Sequence, residues 1–499
     1  MTHDRNNHDD HAAEQDGPGD VLARLRAMQA GDVPVTGGRT LAYVYDSGLE
    51  EVDRVGREAV AAYAGSNGLD PTAFPSLLAM ENELVGFTCD LLDAPEGTVG
   101  TVTSGGTESV LLAVQGARDS RPDVDRPRMV LPSTAHPAFH KAAHYFGVEV
   151  VTVAVGADFR ARPAATAAAI DDRTVLVVAS APSYAHGVVD PVGRIAAAAA
   201  ARGVRCHVDA CIGGWVLPYA ARLGRDVPPW TFAVPGVTSI SVDLHKYAYA
   251  PKGTSVLLHR DAALRRPQYF TSARWPGYTM LNSTMQSTRS GGPLAGAWAV
   301  VRQVGDAGYL DLTRTLLGAV DRLAEGIGAI EGLHVVASPD ASLVALGTDG
   351  SCDVFTLTDA MTRAGWLVQP QLSYDAMPPT LHLSPSAATA PHVEELLTDL
   401  ADAVLAARRA GAVAVDPGVA DLVRALDPAA LSDDDFDGLL AAAGMDAAAG
   451  GDLPESMAEV NALLDLASPA LREALLGRFL ERLQQPVRAV ASTPVHPPR

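Results

Sequence analysis

The stretch TSISVDLHKYAYAPKGTSVLLH, residues 238–259, holds two β-branched runs, TSISVD at 238–243 and TSVLLH at 254–259. Runs of this kind read as strands. Between them stand Lys246 and Lys252, in an otherwise lysine-poor chain, with His245 and a Pro251-Lys252-Gly253 turn. Lys246 falls just past the first strand. A lysine at such a place can be desolvated; its pKa then drops, and its amine can form a Schiff base with an aldehyde. Asp243, Tyr247 and Tyr249 read as local support for the turn.

The same pattern repeats upstream. VGTVT at 99–103, RMVLP at 128–132, VEVVTVAV at 148–155, TVLVVAS at 174–180 and VRCHVDA at 204–210 are further strands. TESVLLAVQGARD at 107–119 and DPVGRIAAAAAARG at 190–203 carry helical patterns. Strands alternating with helices imply an α/β domain with a mostly parallel sheet covered on both faces. Ligands of such sheets bind beyond the carboxyl ends of the strands, so the residues there are the ones to inspect.

Three more strand ends carry chemistry. TSGGTES at 103–109 runs from a strand into a helix. Gly105 and Gly106 let the backbone approach an anion, and Ser104 and Thr107 can add hydroxyl donors. A tight turn with Ser as N-cap reads the same letters. Asp209, in HVDACIGG at 207–214, closes a buried strand and needs a partner. A protonated heterocyclic nitrogen would serve, as would a helix N-terminus or an arginine. His136 follows the strand RMVLP and could stack on a flat ligand or simply sit in its loop. Jointly these residues fit pyridoxal phosphate, which needs an anion cradle, a lysine for its aldehyde, a carboxylate for its ring nitrogen and often a stacking ring.

Composition sets the outer limits. A chain of 499 residues with 47% hydrophobic and 19% charged residues is globular and holds two or three domains. A net charge of −21 argues against non-specific nucleic-acid binding. Cys89, Cys206, Cys211 and Cys352 form neither a disulfide framework nor a metal-site spacing, so a cytoplasmic location is expected. Apolar runs of about 20 residues are absent, so no membrane span is expected. Residues 1–20 are polar and read as a disordered tail; His3, His8 and His11 there read as solvated residues before weak metal ligands. The remaining divisions fall at 21–85, an N-terminal segment, 86–310, the large domain, 311–412, a smaller α+β domain, and 413–499, a helical extension rich in Ala, Leu and Asp. The first of these reads helix, loop, helix, and its loop GDVPVTGGRTLAYVYDSG at 31–48 is rich in Gly and Tyr for a linker.

The order of the motifs, with their flanks TSGGTESVLLA, HPAFHKAAHYFGVEV, AHGVVDPV, HVDACIGGW, GVTSISVDLHKYAYAPKGTSVLL and STRSGG, resembles the pyridoxal-phosphate-dependent decarboxylase superfamily (group II), most closely its sphingosine-1-phosphate lyase branch. The resemblance covers roughly residues 31–405. It implies an aspartate-aminotransferase-like fold of type I and a homodimer with shared active sites. It implies roles as well. Lys246 would bind the cofactor's aldehyde, and His245 would sit by its phosphate beside the 104–107 turn. Asp209 would hold the ring-nitrogen proton and His136 would stack on the ring. Gly291 and Gly292, in STRSGG, would reach the phosphate across the dimer interface. Lys252 and Tyr45 would stand near the substrate.

The chain departs from that pattern at Asn67-Gly68-Leu69-Asp70, where the branch has Asn-Pro-Leu-His. An aspartate on the substrate side would repel a substrate phosphate. Ser290 for Pro and Ala248 for Gly are milder changes. The reaction expected is carbon–carbon cleavage of an amine by retro-aldol chemistry, through an external aldimine. An amino-acid decarboxylase is the alternative, and a non-catalytic cofactor-binding scaffold the second.

Overall fold

The structure is a computed structural model and describes residues 18–445 and 456–486. His3, His8, His11 and most of the 1–20 segment lie outside the described residues, as does the terminal STPVHPPR.

Seven strands form the central sheet: β1 (Val99–Thr103), β2 (Arg128–Pro132), β3 (Glu149–Val153), β4 (Thr174–Ser180), β5 (Arg205–Asp209), β6 (Ser239–Asp243) and β7 (Ser255–His259). Their order is β1-β7-β6-β5-β4-β2-β3. The pairs from β3 across to β6 are parallel, while β7 runs antiparallel to both β6 and β1. Each of these strands was legible as an apolar run, and β4, β6 and β7 are buried along their whole length. Both faces are covered, as side-chain alternation requires. Met129 and Leu131 pack with Val110 and Phe139 on one face, whereas Val130 packs with Val177 and Ile195 on the other.

One topological consequence positions the site. The carboxyl ends of β1, β2, β4, β5 and β6 all point to one edge, and the start of β7 returns there. Ser104, His136, Asp209 and Lys246 therefore meet at one rim although they span more than a hundred residues of chain.

The helix Gly291–Ala329 is interrupted at Gly305, whose φ of 63° and ψ of 176° are not helical. Glycine tolerates this left-handed φ because it has no Cβ. The smaller domain is a four-stranded antiparallel sheet of order β10-β11-β13-β12, with β10 Leu333–Val335, β11 Val344–Thr348, β12 Gln369–Gln371 and β13 Thr380–Leu383. A small hairpin, β8 (Phe270–Ser272) with β9 (Met280–Asn282), projects between the two sheets in chain order.

The N-terminal segment has helices Pro18–Gln29, Glu50–Ala62 and Pro75–Leu91, one more than the helix-loop-helix reading. Its Gly- and Tyr-rich loop is not a linker. Leu41 donates to the Leu367 carbonyl (2.8 Å) and accepts from Ser384 (2.7 Å), which stitches the loop to the smaller domain. At the other end, helices Pro417–Ala425, Asp433–Ala442, Ala458–Leu466 and Pro469–Leu483 enclose a small core that includes Val423, Leu439, Leu463 and Leu471. Among the described residues no helix is long and apolar enough to cross a membrane.

Candidate active site

The 104–107 turn, the candidate anion cradle, joins β1 to the helix Gly106–Asp119. The first helical bond runs from Ser109 N–H to the Gly105 carbonyl (3.1 Å), which leaves the N–H groups of residues 106–108 without intrahelical acceptors. Gly106 is closely packed. A Cβ there would lie 2.8 Å from Asp243 Oδ1 and 2.8 Å from Cys211 Sγ. Gly105 has more room, with His245 Cε1 3.7 Å from its would-be Cβ. Buried Glu108 fixes the turn, accepting from Ser104 N–H (2.6 Å) and Met285 N–H (2.8 Å). Ser104 and Thr107 are exposed.

Lys246 stands one turn past the end of β6. Its Nζ lies 2.8 Å from Asp243 Oδ2, and the Ser255 hydroxyl donates to the other oxygen of that carboxylate. Burial, the largest single influence, pushes the Lys246 pKa down, but Asp243, Tyr45 and Cys211 together outweigh it and the net shift is upward. The depressed amine expected from the sequence is thus corrected. In the free protein Lys246 is an ammonium held by Asp243. Asp243 itself is buried; desolvation would raise its pKa, but Lys246 and His245 hold it below the usual carboxylate value. Asp243 is the main residue that the sequence reading undervalued. The signal was there, a carboxylate three residues before the lysine.

His245 completes this cluster. Its Nδ1 lies 2.9 Å from the Thr254 carbonyl, so Nδ1 carries the proton, and Nε2 lies 3.7 Å from Asp243. Burial lowers its pKa against the pull of Asp243. Asp209, at the end of β5, is 9% exposed and accepts from Cys211 N–H (3.1 Å) and the Ser241 hydroxyl (3.5 Å). Among the described residues it pairs with no lysine or arginine, so a buried carboxylate keeps acceptor capacity for a cation. His136 is exposed on the cleft wall, its Nδ1 accepting from Ala138 N–H (3.2 Å), and desolvation by the walls around it lowers its pKa.

The stitched loop brings Tyr43 and Tyr45 to the same rim. Tyr45 packs edge-on against Tyr247, with centroids 4.9 Å apart, and burial raises its pKa. Lys252 Nζ donates to the Tyr43 carbonyl (2.8 Å) and sits 4.9 Å from the Tyr45 ring centroid. Desolvation and the neighbouring Lys246 charge push Lys252 down to about 8. Beyond them a cleft of about 920 Å³ opens between the two domains; His136, Tyr184, His186, Gln371 and Tyr374 are among its walls.

The remaining sequence candidates lie apart from this cluster. Gly291 and Gly292 open the long helix, where their Cβ positions meet Ser66 and Val60 of the same chain. The preceding Arg289 pairs with buried Glu81 (2.6 Å) and donates to the Val102 carbonyl (2.6 Å). Together Arg289 and Ser290 border a pocket of about 230 Å³ shared with Ser104 and Thr254. Asn67 pairs with Ser290 across a backbone bridge, and Gly68 N–H donates to the Arg289 carbonyl (2.8 Å). Asp70 is exposed, its carboxylate accepting from Thr72 N–H (2.8 Å) and Thr72 Oγ1 (2.6 Å), bonds that lower its pKa.

The residues gathered at this rim fit pyridoxal phosphate. A helix start with free N–H groups suits its phosphate, an amine stands within the same cluster, and a buried carboxylate with spare acceptor capacity suits a protonated ring nitrogen. Comparison with known proteins agrees. Residues 45–347 match the pyridoxal-dependent decarboxylase conserved domain, and residues 417–482 match a domain described as a C-terminal HTH domain of pyridoxal-dependent enzymes. The chain is 37% identical over 395 residues to sphingosine-1-phosphate lyase of Arabidopsis thaliana, covering 77% of this chain and 72% of that protein. A solved sphingosine-1-phosphate lyase of Burkholderia pseudomallei superposes with a TM-score of 0.75 at 33% identity, covering 82% of this chain and 94% of that one. Glutamate decarboxylase of Lactobacillus brevis shares the fold, with a TM-score of 0.70 at 20% identity over 83% of this chain and 97% of that one. The chain belongs to the pyridoxal-dependent decarboxylase family, has the type I fold of pyridoxal-phosphate enzymes, and is a pyridoxal-phosphate-dependent lyase.

Proposed function

We propose that this lyase cleaves a carbon–carbon bond in a phosphorylated β-hydroxy amine, releasing an aldehyde and a phosphorylated amine. The observation that carries the reading is the clustering of the Lys246–Asp243 pair, buried Asp209 and the Gly105–Gly106 turn around Cys211. The names of the relatives that share most of the chain supply the substrate class. Bound in this cleft, pyridoxal phosphate supplies an electron sink for the pair left when the bond breaks.

The chain's own residues take the following parts. Lys246 would hold the cofactor through its aldehyde, its Nζ first giving up to Asp243 the proton that the two share. Asp209 holds the proton on the ring nitrogen, because that is the cation its buried carboxylate otherwise lacks. His136 stacks on the ring, neutral because desolvation lowers its pKa. His245 and the N–H groups of the 104–107 turn bind the cofactor phosphate. Tyr45, protonated at neutral pH, stands where a proton must pass to or from the substrate, and Lys252 places a cation beside it.

Asp70 bears on the substrate. Its carboxylate is satisfied by Thr72 on an exposed turn, so within one protomer it does not oppose an anion in the cleft. The protein works as a homodimer in this reading. Phe270, Trp275, Tyr278 and Leu281, all more than 45% exposed, are apolar side chains that a second copy would cover, and Leu281 borders a pocket with Arg289, just before the Gly291–Gly292 segment that would complete the partner's phosphate site. Asn67, whose neighbours Ser66 and Gly68 hydrogen-bond to that segment, would be positioned on the substrate side with Asp70.

The test is a product assay on the purified holoenzyme, with sphingosine 1-phosphate and a panel of amino acids as substrates, reading aldehyde and carbon dioxide together. Aldehyde without carbon dioxide supports the reading. Carbon dioxide from an amino acid overturns it in favour of the decarboxylase alternative, and no turnover of any amine favours the scaffold. Lys246→Ala is expected to abolish both turnover and the visible absorbance of the bound cofactor.

A further inference from the structure

The C-terminal helical unit invites a nucleic-acid reading from its domain description, and its charge opposes that reading. Residues 417–482 hold 13 carboxylates and four arginines. Each arginine is paired: Arg424 with Asp421, Arg472 with Asp465, Arg478 with Asp433 and Arg482 with Asp437. Phosphate backbones are bound by clustered, available cations, and this unit presents none.

Its polar contacts point inward instead, to two places on the smaller domain. Buried Asp359, on the helix Val354–Arg363, accepts from Ser456 Oγ, from Met457 N–H (3.1 Å) and from Ala458 N–H (3.2 Å), so it caps the start of the helix Ala458–Leu466. A carboxylate at a helix N-terminus is a favourable anchor. The second contact grips one residue from both sides. Asp465 Oδ1 accepts from Ser373 N–H (2.6 Å), and Arg472 Nη1 donates to the Ser373 carbonyl (3.0 Å). Arg472 is itself oriented by the Ala467 carbonyl (3.0 Å) and the Asp465 carbonyl (2.8 Å).

Ser373 is the residue before the tip of the β12–β13 hairpin. The tip closes through paired bonds between Tyr374 and Met377 (3.1 and 2.9 Å), with Asp375 at a φ of 51°. Gln371, Tyr374 and Met377 line the same cleft as His136. Such a tip, 43% exposed at Tyr374, has little apolar packing of its own to hold it.

We propose that the C-terminal unit sets the width of the substrate cleft, with Asp465 and Arg472 as positioning residues that hold the Tyr374 rim through Ser373. The inference rests on the cleft being the substrate entrance, as proposed above. It assigns the unit a role in selecting substrates by what they carry beyond the reacting amine.

The experiment compares full-length holoenzyme with Arg472→Ala and Arg472→Lys. Hydrogen exchange of residues 371–380 is followed, and the apparent affinities for sphingosine 1-phosphate and phosphoethanolamine are read from the cofactor's absorbance. Arg472→Ala is expected to speed exchange in 371–380 at least tenfold while leaving β10 and β11 unchanged. It should also weaken sphingosine 1-phosphate about fivefold or more and phosphoethanolamine, which carries no chain, by less than twofold. Arg472→Lys should recover part of both effects. Unchanged exchange in 371–380 overturns the proposal, as does an equal loss for both amines. A parent enzyme that responds to neither amine counts against the substrate class, and the exchange measurement then decides the positioning claim alone.

Discussion

Replacing Gly106 by alanine sets one methyl group against two buried side-chain atoms that already have partners of their own. The new Cβ falls 2.8 Å from Asp243 Oδ1 and 2.8 Å from Cys211 Sγ, well inside contact distance. Asp243 is buried and pinned by Lys246 on one oxygen and Ser255 on the other; Cys211 is buried and its sulfur faces Ser241 (3.4 Å). Overpacking of this kind costs about 1–3 kcal/mol. Part of that cost falls on the Asp243–Lys246 contact, because the carboxylate is the nearest group able to rotate. Two measurements follow. The apoenzyme's urea midpoint should drop in Gly106→Ala but hold in Gly105→Ala, whose methyl group has 3.7 Å of space. Cofactor affinity in Gly106→Ala, titrated by visible absorbance, should fall by at most about 150-fold, the ceiling set by the whole of ~3 kcal/mol falling on the site. Parental stability and parental affinity in Gly106→Ala would refute the packing argument at this cradle. Equal destabilisation by the two alanines would refute its specificity.

Three further outcomes are expected. Lys252 is charged below its pKa of about 8 and loses that charge above it, so kcat/KM for an anionic amine should decline as pH rises through 8; Lys252→Arg, which stays charged, should move that limb to higher pH. Asp190 is buried, and desolvation lifts it to about 6 against donors from Ala161 and Ser180. A carboxyl whose folded pKa exceeds its unfolded value of 3.8 stabilises fully below that value and loses the contribution as pH rises through 6, so unfolding free energy should fall by about 2–3 kcal/mol between pH 4 and 7, and Asp190→Asn should flatten the slope. Glu81→Ala leaves the Arg289 guanidinium partly buried beside Val102 without its counter-charge, and should cost about 3–5 kcal/mol in chemical denaturation, with Glu81→Gln costing less.

Strand placement and the chemistry-bearing strand ends were legible because they depend on local text. A buried parallel strand must be an apolar run, and a phosphate turn must be small and polar between such a run and a helix. That is why Lys246, Asp209, His136 and the Gly105–Gly106 pair could be singled out from letters alone. The break at Gly305 was not legible, since an isolated glycine inside a helical pattern is usually tolerated.

What the tertiary structure decided is which of these groups meet, and with what consequence. Burial by itself lowers a lysine's pKa, and the sequence supported that expectation for Lys246; only the fold places Asp243 at 2.8 Å and reverses the shift. Tyr45 lies about two hundred residues before Lys252, yet the pairing of Leu41 with Leu367 and Ser384 carries it onto that cation. Arg472 reaches Ser373 only because the C-terminal helices pack back on the smaller domain. Sequence determined the types of group that the chain could offer, since each residue's chemistry and its local backbone preference are fixed by its near neighbours. Electrostatic and hydrogen-bond energies depend on separation in space, and separation in space is set by the packing of the whole chain.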